Sequence, residues 1–304
     1  MPHKKFRVKD ESDENQRLDI YLSGLIRELS RSQVQNMIQQ EKVLVNSEII
    51  QKPSFRIICG DQIEIKYKLP APVKIVPEDI PLDIVYQDGW VAVINKVSGM
   101  VVHPGAKIQQ HTLVNALVYH FPEVKKVGPK TRPGIVHRLD KETSGLLVIA
   151  KNLEAFDNLK AQFKKRWVQK KYMALVWGRY SRKQGVVSWP IGRHVKDGAR
   201  MSIKTKKPKK AETHFKVLKV FNEHSLLDVK PITGRTHQVR VHMSASGHPI
   251  VGDGRYGKRK KRTALKSRLF LHAYYLSFIH PKTQRRKEFS IPLPEDLQNI
   301  LKKI

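Results

Sequence analysis

The sequence predicts two α+β domains, a small one followed by a larger one, on three observations. Between residues 17 and 67, two helical patterns are followed by short alternating strands. Residues 69–81, "LPAPVKIVPEDIP", carry four prolines and no period of either kind. Beyond them the chain reads mainly as strands, with one clear helix among them.

In the first segment, Leu18, Tyr21, Leu22, Leu25, Ile26 and Leu29 recur at helical spacing over residues 17–29. Ser30 reads as an N-cap, with Gln33 completing a capping box that opens a second helix on Val34, Met37 and Ile38. "KVLVNSEII" reads as strand and turn, and Ile63, Ile65 and Tyr67 alternate along a further strand. The prolines make residues 69–78 a semi-rigid linker between domains at 15–68 and 79–304. In the second domain, "WVAVINKV" is an apolar strand. Asn152 caps a helix that places Leu153, Phe156, Leu159 and Phe163 on one face. "VQKKYMALVWG" alternates, sending Val168, Tyr172, Ala174 and Val176 to one side.

The chain has 304 residues, 40% of them hydrophobic, and a net charge of +31. Residues 1–68 hold a net +2 and the remainder +29, so the second domain carries most of the attraction for a polyanion, nucleic acid above all. No apolar run approaches the ~18 residues a spanning helix needs, which argues against a membrane. The polar start "MPHKKFRVKDESDENQ" has no signal-peptide core, and a cytoplasmic chain is expected. The single cysteine, Cys59, rules out an internal disulfide and reads as a small buried hydrophobe. The basic tracts 204–210 and 258–268 read as exposed loops that track phosphates.

The order "RLD…SRSQVQNMI…KVLVNSEII…GDQIEIKY" over residues 15–68 resembles the S4 RNA-binding domain. That resemblance turns Arg31, Ser32 and Gln35 toward RNA. Further on, "HRLDKETSGLLVIAK" (137–151) resembles the signature of the RluA/RluD-type pseudouridine synthases. "NKVSGMVVHPG", "KKYMALVWG", "PITGRTHQVRVHMSASGHPIVGDGRYG" and "LFLHAYYLSF" match the same family in order across most of residues 80–304. The resemblance implies a mixed, largely antiparallel sheet with a central cleft, and ribosomal RNA of the large subunit as partner.

Pseudouridine formation breaks the N1–C1′ bond, turns the uracil and rejoins it through C5. A carboxylate begins this either by attacking C1′ or by removing the 2′ proton. Burial alone neutralises a carboxylate, so a cation must stand beside it. The resemblance assigns the carboxylate to Asp140 and the cation to Arg235, just ahead of Thr236, the expected N-cap of a helix ending at Gly247. It gives Tyr172 the base to stack on and, through its hydroxyl, the C5 proton. Arg138, with His137, is set against the RNA to hold the target nucleotide out of its stack. The isomerisation involves no redox change and no net group transfer, so no cofactor and no metal are expected, and the chain is expected to be a monomer. A second reading assembles His237, His242, His248, His272 and Asp253 into the metal site of a nuclease or phosphoesterase; the five-residue spacing of His237 and His242 argues against it. A non-catalytic RNA-binding or ribosome-assembly factor, and a synthase directed at transfer RNA, are the remaining alternatives.

Overall fold

The computed structural model describes residues 3–26, 28–67, 75–105, 108–198, 200–257 and 268–304. The chain divides into two compact units, Met1–Pro72 and Val73–Ile304.

In the first unit, β1 (His3–Arg7) precedes α1 (Leu18–Leu25) and α2 (Arg31–Gln39); β2 (Val43–Val45), β3 (Glu48–Ile49) and β4 (Gln62–Lys66) follow. The strands form an antiparallel sheet in the order β1-β4-β2-β3. Ser30 and Gln33 make the capping box: Ser30 Oγ accepts from the Gln33 amide, and Gln33 Oε1 accepts from the Ser30 amide at 2.8 Å. Leu18, Leu22, Val34 and Ile38 close with Ile63 and Ile65 into one core. Two details differ from expectation. The first helix stops at Leu25, which is exposed, and Ile26 and Leu29 reach the core from beyond its end. Cys59 is exposed, because Ile57 takes the inward position and the chain then turns at Gly60, whose φ is 94°. β1 lies ahead of residue 15 and pairs with β4 as an edge strand.

The second unit begins with β5 (Ile84–Gln87), β6 (Val91–Lys96), α3 (Leu113–His120), β7 (Ser144–Ala150) and α4 (Leu153–Lys165). It continues through β8 (Gln169–Trp177), β9 (Gln184–Val187), β10 (Gly192–Arg193), β11 (Met201–Ser202), β12 (Thr213–Val220) and β13 (His224–Pro231). It closes with α5 (Gln238–Ala245), β14 (Leu271–Ile279), β15 (Arg286–Ser290) and α6 (Glu295–Lys302). Among the described residues, nine strands form one sheet in the order β5-β6-β7-β14-β8-β13-β12-β9, with β15 on β14. Of its pairs only β7–β14 is parallel, so the sheet is mixed and largely antiparallel.

All seven residues of β7 are buried, because both faces of the sheet are covered there. Leu147 and Ile149 pack in a core with α3 residues Leu113, Val114 and Leu117. Leu146 and Val148 pack on the other side with Phe156 and Leu159 of α4. Where β7 meets β14 the backbones approach so closely that a Cβ on Gly145 would lie 2.3 Å from the Ala273 carbonyl oxygen, and its φ of 117° suits glycine. Helix α3 was not anticipated. It is apolar on nearly every side and so shows no amphipathic period, although Thr112 and Asn115 cap it reciprocally. The linker falls partly outside the described residues, and of the tract 258–268 only Arg268 is described. Residues 204–210 form a largely exposed loop. No helix among the described residues is long and apolar enough to cross a membrane.

Candidate active site

The site is built on the turn that feeds β7. The Asp140 carbonyl oxygen accepts from the Thr143 amide at 3.1 Å and closes the turn. Lys96, at the end of β6 and 1% exposed, ties the turn down. Its Nζ donates to the carbonyl oxygens of Val97 (2.7 Å), Met100 (2.9 Å) and Lys141 (3.1 Å). An ammonium has three N–H groups, and each finds an acceptor. Burial pulls Lys96 down to about 7, against the charges of Glu142 and Asp140. Lys96→Met strips these acceptors and is expected to cost about 2–5 kcal/mol of stability in chemical denaturation; a variant as stable as the parent would mean that water replaces the ammonium.

The Asp140 carboxylate faces a cavity of about 110 Å³ that is also lined by Arg138, Tyr172 and Arg235. The sequence reading thus gathered four residues that do lie together. It paired Asp140 with the wrong cation. Arg235 turns its Nε to the Lys210 carbonyl oxygen at 3.0 Å. Asp140 Oδ2 is met instead by Nη1 of Arg240 at 3.3 Å. Arg240 forks onto Asp253, with Nε to Oδ2 at 2.8 Å and Nη2 to Oδ1 at 2.9 Å. Asp253 Oδ1 also accepts from the amides of Arg255 and Tyr256 at 2.9 Å. Burial works against the Arg240 charge, but the bonds and charge of Asp253, with the charge of Asp140, outweigh it and hold the guanidinium protonated. The chain turns sharply before α5, and this separates the two arginines. His237, not Thr236, is the cap residue; it has φ 55°, and Gln238 Oε1 accepts from the Arg235 amide at 3.0 Å. Arg240 therefore rides the first turn of the helix toward Asp140, while Arg235 stays in the loop. An arginine between two valines, in a helix whose first six residues are buried, was the signal to read: a buried guanidinium requires an anion.

Residues 90–245 match the family described as RNA pseudouridylate synthase, and residues 16–63 match the S4 domain. The chain belongs to the RNA pseudouridylate synthase family. The synthase is 40% identical over 302 residues to a protein named ribosomal large subunit pseudouridine synthase D from Blochmanniella floridana, covering 94% of this chain and 93% of that one. It is 42% identical over 296 residues to the protein of the same name from Zymomonas mobilis, with the same shares. The solved structure of human RNA pseudouridylate synthase domain containing 1 superposes with a TM-score of 0.58 at 31% identity, over 77% of this chain and 96% of that one.

In the synthase, Tyr172 is buried on β8, and burial, reinforced by the Asp140 charge, raises its phenol well above the ordinary value. A phenol in that state donates a hydrogen bond and packs its ring; to accept the C5 proton it must first lose its own. Arg138 stands exposed at the cavity wall. His137 is engaged within the fold. Its Nε2 accepts from the Val148 amide at 3.0 Å and its ring stacks on Phe163, so it braces β7 against α4. His237 brings Nε2 to 3.8 Å from Asp140 Oδ2 and sets Nδ1 2.8 Å from the Tyr256 hydroxyl. Burial, ahead of the opposing Asp140 charge, lowers it and so disfavours the charged imidazolium.

The remaining residues of the metal-site reading are engaged elsewhere. His242 lies between the Thr213 hydroxyl and the Trp189 carbonyl oxygen, His248 on the Trp177 carbonyl oxygen, and His272 on Ser144 Oγ. Among the described residues no three His, Cys, Asp or Glu side chains stand close enough to hold a metal ion.

In the S4 unit, Arg31 and Gln35 converge on one buried carboxylate, Asp19. Arg31 Nε donates to its Oδ2 at 3.0 Å, Gln35 Nε2 donates to the same oxygen, and Arg17 adds Nε to Oδ1 at 2.9 Å. Burial opposes the Asp19 charge, but these donors outweigh it and hold the carboxyl well below its usual range. Asp19 thereby fixes two arginines at the surface with part of each guanidinium still free. Ser32 Oγ lies 3.3 Å from Ser30 Oγ at the start of α2.

Proposed function

We propose that this synthase converts uridine to pseudouridine in large-subunit ribosomal RNA and that Asp140 opens the reaction. The observation that carries the chemistry is the chain Asp140–Arg240–Asp253 on the wall of a small cavity that also holds Tyr172. A uridine in a stack or duplex cannot present C1′ and C5 to such a recess, so the nucleotide enters flipped, with Arg138 holding the gap it leaves. Asp140 then attacks C1′ or takes the 2′ proton; either course asks for a charged carboxylate whose position Arg240 fixes. Tyr172 packs on the freed uracil while it turns. The rearrangement conserves atoms and electrons and calls for no cofactor. Relatives named for the large ribosomal subunit match along both units, which supports a ribosomal target. Arg31, Ser32 and Gln35 of the S4 unit add contacts to the same RNA.

Mapping pseudouridines across all RNA of a strain lacking the protein tests the target. One or more large-subunit ribosomal uridines should remain unmodified and regain the modification when the gene is restored. Loss confined to transfer RNA would overturn the ribosomal reading and leave the chemistry standing.

A further inference from the structure

Three cavities meet at one side chain. Lys170 borders the Asp140 cavity, a second of about 470 Å³ walled by Trp167, Lys230 and Arg286, and a third of about 460 Å³ walled by Phe163, Lys164 and Arg235. It precedes Tyr172 by two residues on β8, so both side chains leave the same face of the strand. Its Nζ lies 5.7 Å from the Phe163 ring centroid and under Gly234, where an added Cβ would sit 3.8 Å away.

The buried cationic side chains near the site have partners within the chain: Arg240 the Asp253 carboxylate, and Lys96 three carbonyl oxygens that accept its hydrogen bonds. Lys170 has neither kind of partner among the described residues. Among the described residues, no Asp or Glu lines the two larger cavities. Lys170 is half-buried, and a charge partly withdrawn from water without a partner works against folding, so a cation kept there is matched by something that arrives. The size of the inner cavity says what arrives. At about 110 Å³ it falls short of the roughly 300–1,000 Å³ typical of small-molecule sites, so it takes the base with the adjoining face of its ribose, and the phosphodiesters on either side lie outside. The space outside is the two cation-walled cavities.

We infer that Lys170 binds the phosphodiester joining the target uridine to its neighbour, and that flanking single-stranded RNA runs through the two adjoining cavities. Trp167, 49% exposed at the edge of the second cavity, offers its ring to the neighbouring base. The inference rests on the family's activity and holds whichever RNA carries the target, so total RNA from a strain lacking the protein is the probe.

Lys170→Met keeps the length of the stem and removes the charge. Its melting temperature should equal or slightly exceed the parent's, since a half-buried charge without a partner is gone. Its KM should rise roughly 10- to 100-fold, the range for losing one charge-assisted contact. Its kcat should stay within about threefold, since the contact is made in ground and transition states alike. The log–log dependence of kcat/KM on salt should flatten by about 0.7, the share of one phosphate in a single strand. Lys170→Arg, which keeps the charge, should keep the slope. A loss of activity with the parent's salt slope would overturn the inference in favour of a contact to the uracil. A lower melting temperature with unchanged KM would overturn it in favour of a strut. A parent protein that forms no pseudouridine in that RNA would overturn the enzymatic reading, and this inference with it.

Discussion

Asp140→Asn is expected to abolish pseudouridine formation while leaving RNA binding intact. The amide keeps the shape of the side chain and loses its charge, its basicity and nearly all of its nucleophilicity. Neither course of reaction has a substitute: Asp253, the other carboxylate near Arg240, is buried and closed off by Arg240 and two backbone amides. Turnover should fall by at least about 10⁴-fold, as when a residue that forms or breaks bonds is removed. Affinity for RNA should hold or tighten, because a carboxylate repels phosphates. The fold should lose no more than about 1 kcal/mol, since Arg240 keeps its fork on Asp253 and gives up only a 3.3 Å contact. The test measures binding and pseudouridine formation on one RNA, with a thermal melt to show that the variant is folded. Near-normal turnover would reduce Asp140 to a structural partner of Arg240.

Arg240→Met and Arg235→Met are expected to part company. Removing Arg240 leaves Asp253 buried with only amide donors and leaves Asp140 without its cation. Breaking a buried pair from one side costs about 3–5 kcal/mol, and turnover should vanish with it. Arg240→Lys should rescue little, because an ammonium cannot fork onto Asp253 and reach Asp140 together. Arg235 gives up one bond to a carbonyl oxygen, so its variant should melt within about 1 kcal/mol of the parent and lose activity through KM. If instead Arg235→Met loses turnover and Arg240→Met keeps it, the pairing in the resting structure is not the one that serves the reaction.

What could be read from the sequence was what neighbouring residues decide. The Ser30–Gln33 box and the Asn152 cap involve residues a few places apart and formed as expected; Tyr172, Ala174 and Val176 share one core as the alternation implied, but Val168 lies ahead of the strand and packs in the other core, with α4. Asp140 was found because its segment carries the family signature, not because its chemistry shows in one dimension. Arg240 lies 100 residues from Asp140, and only the bend at Arg235–His237 decides which arginine arrives. His137 looked free beside Arg138, yet its partner is an amide on the next strand. Strand β1 was hidden because an edge strand can keep polar side chains, and α3 because a helix buried on most sides has no polar face to mark its period.

The parallel pairing of β7 with β14 also sets an order of events during synthesis. Ser144 and its partner His272 are 128 residues apart. At about 5–20 residues per second, β7 waits roughly 6–26 s for its neighbour. Throughout that interval a strand of seven buried residues has an open edge, the kind of surface on which nascent chains stick to one another. Asp140 leaves the ribosome early, but its cation and the strand beside it come late. Catalytic competence and protection from aggregation therefore arrive together, once β14 has emerged, and a chain that stops before β14 is a hazard as well as an inactive product.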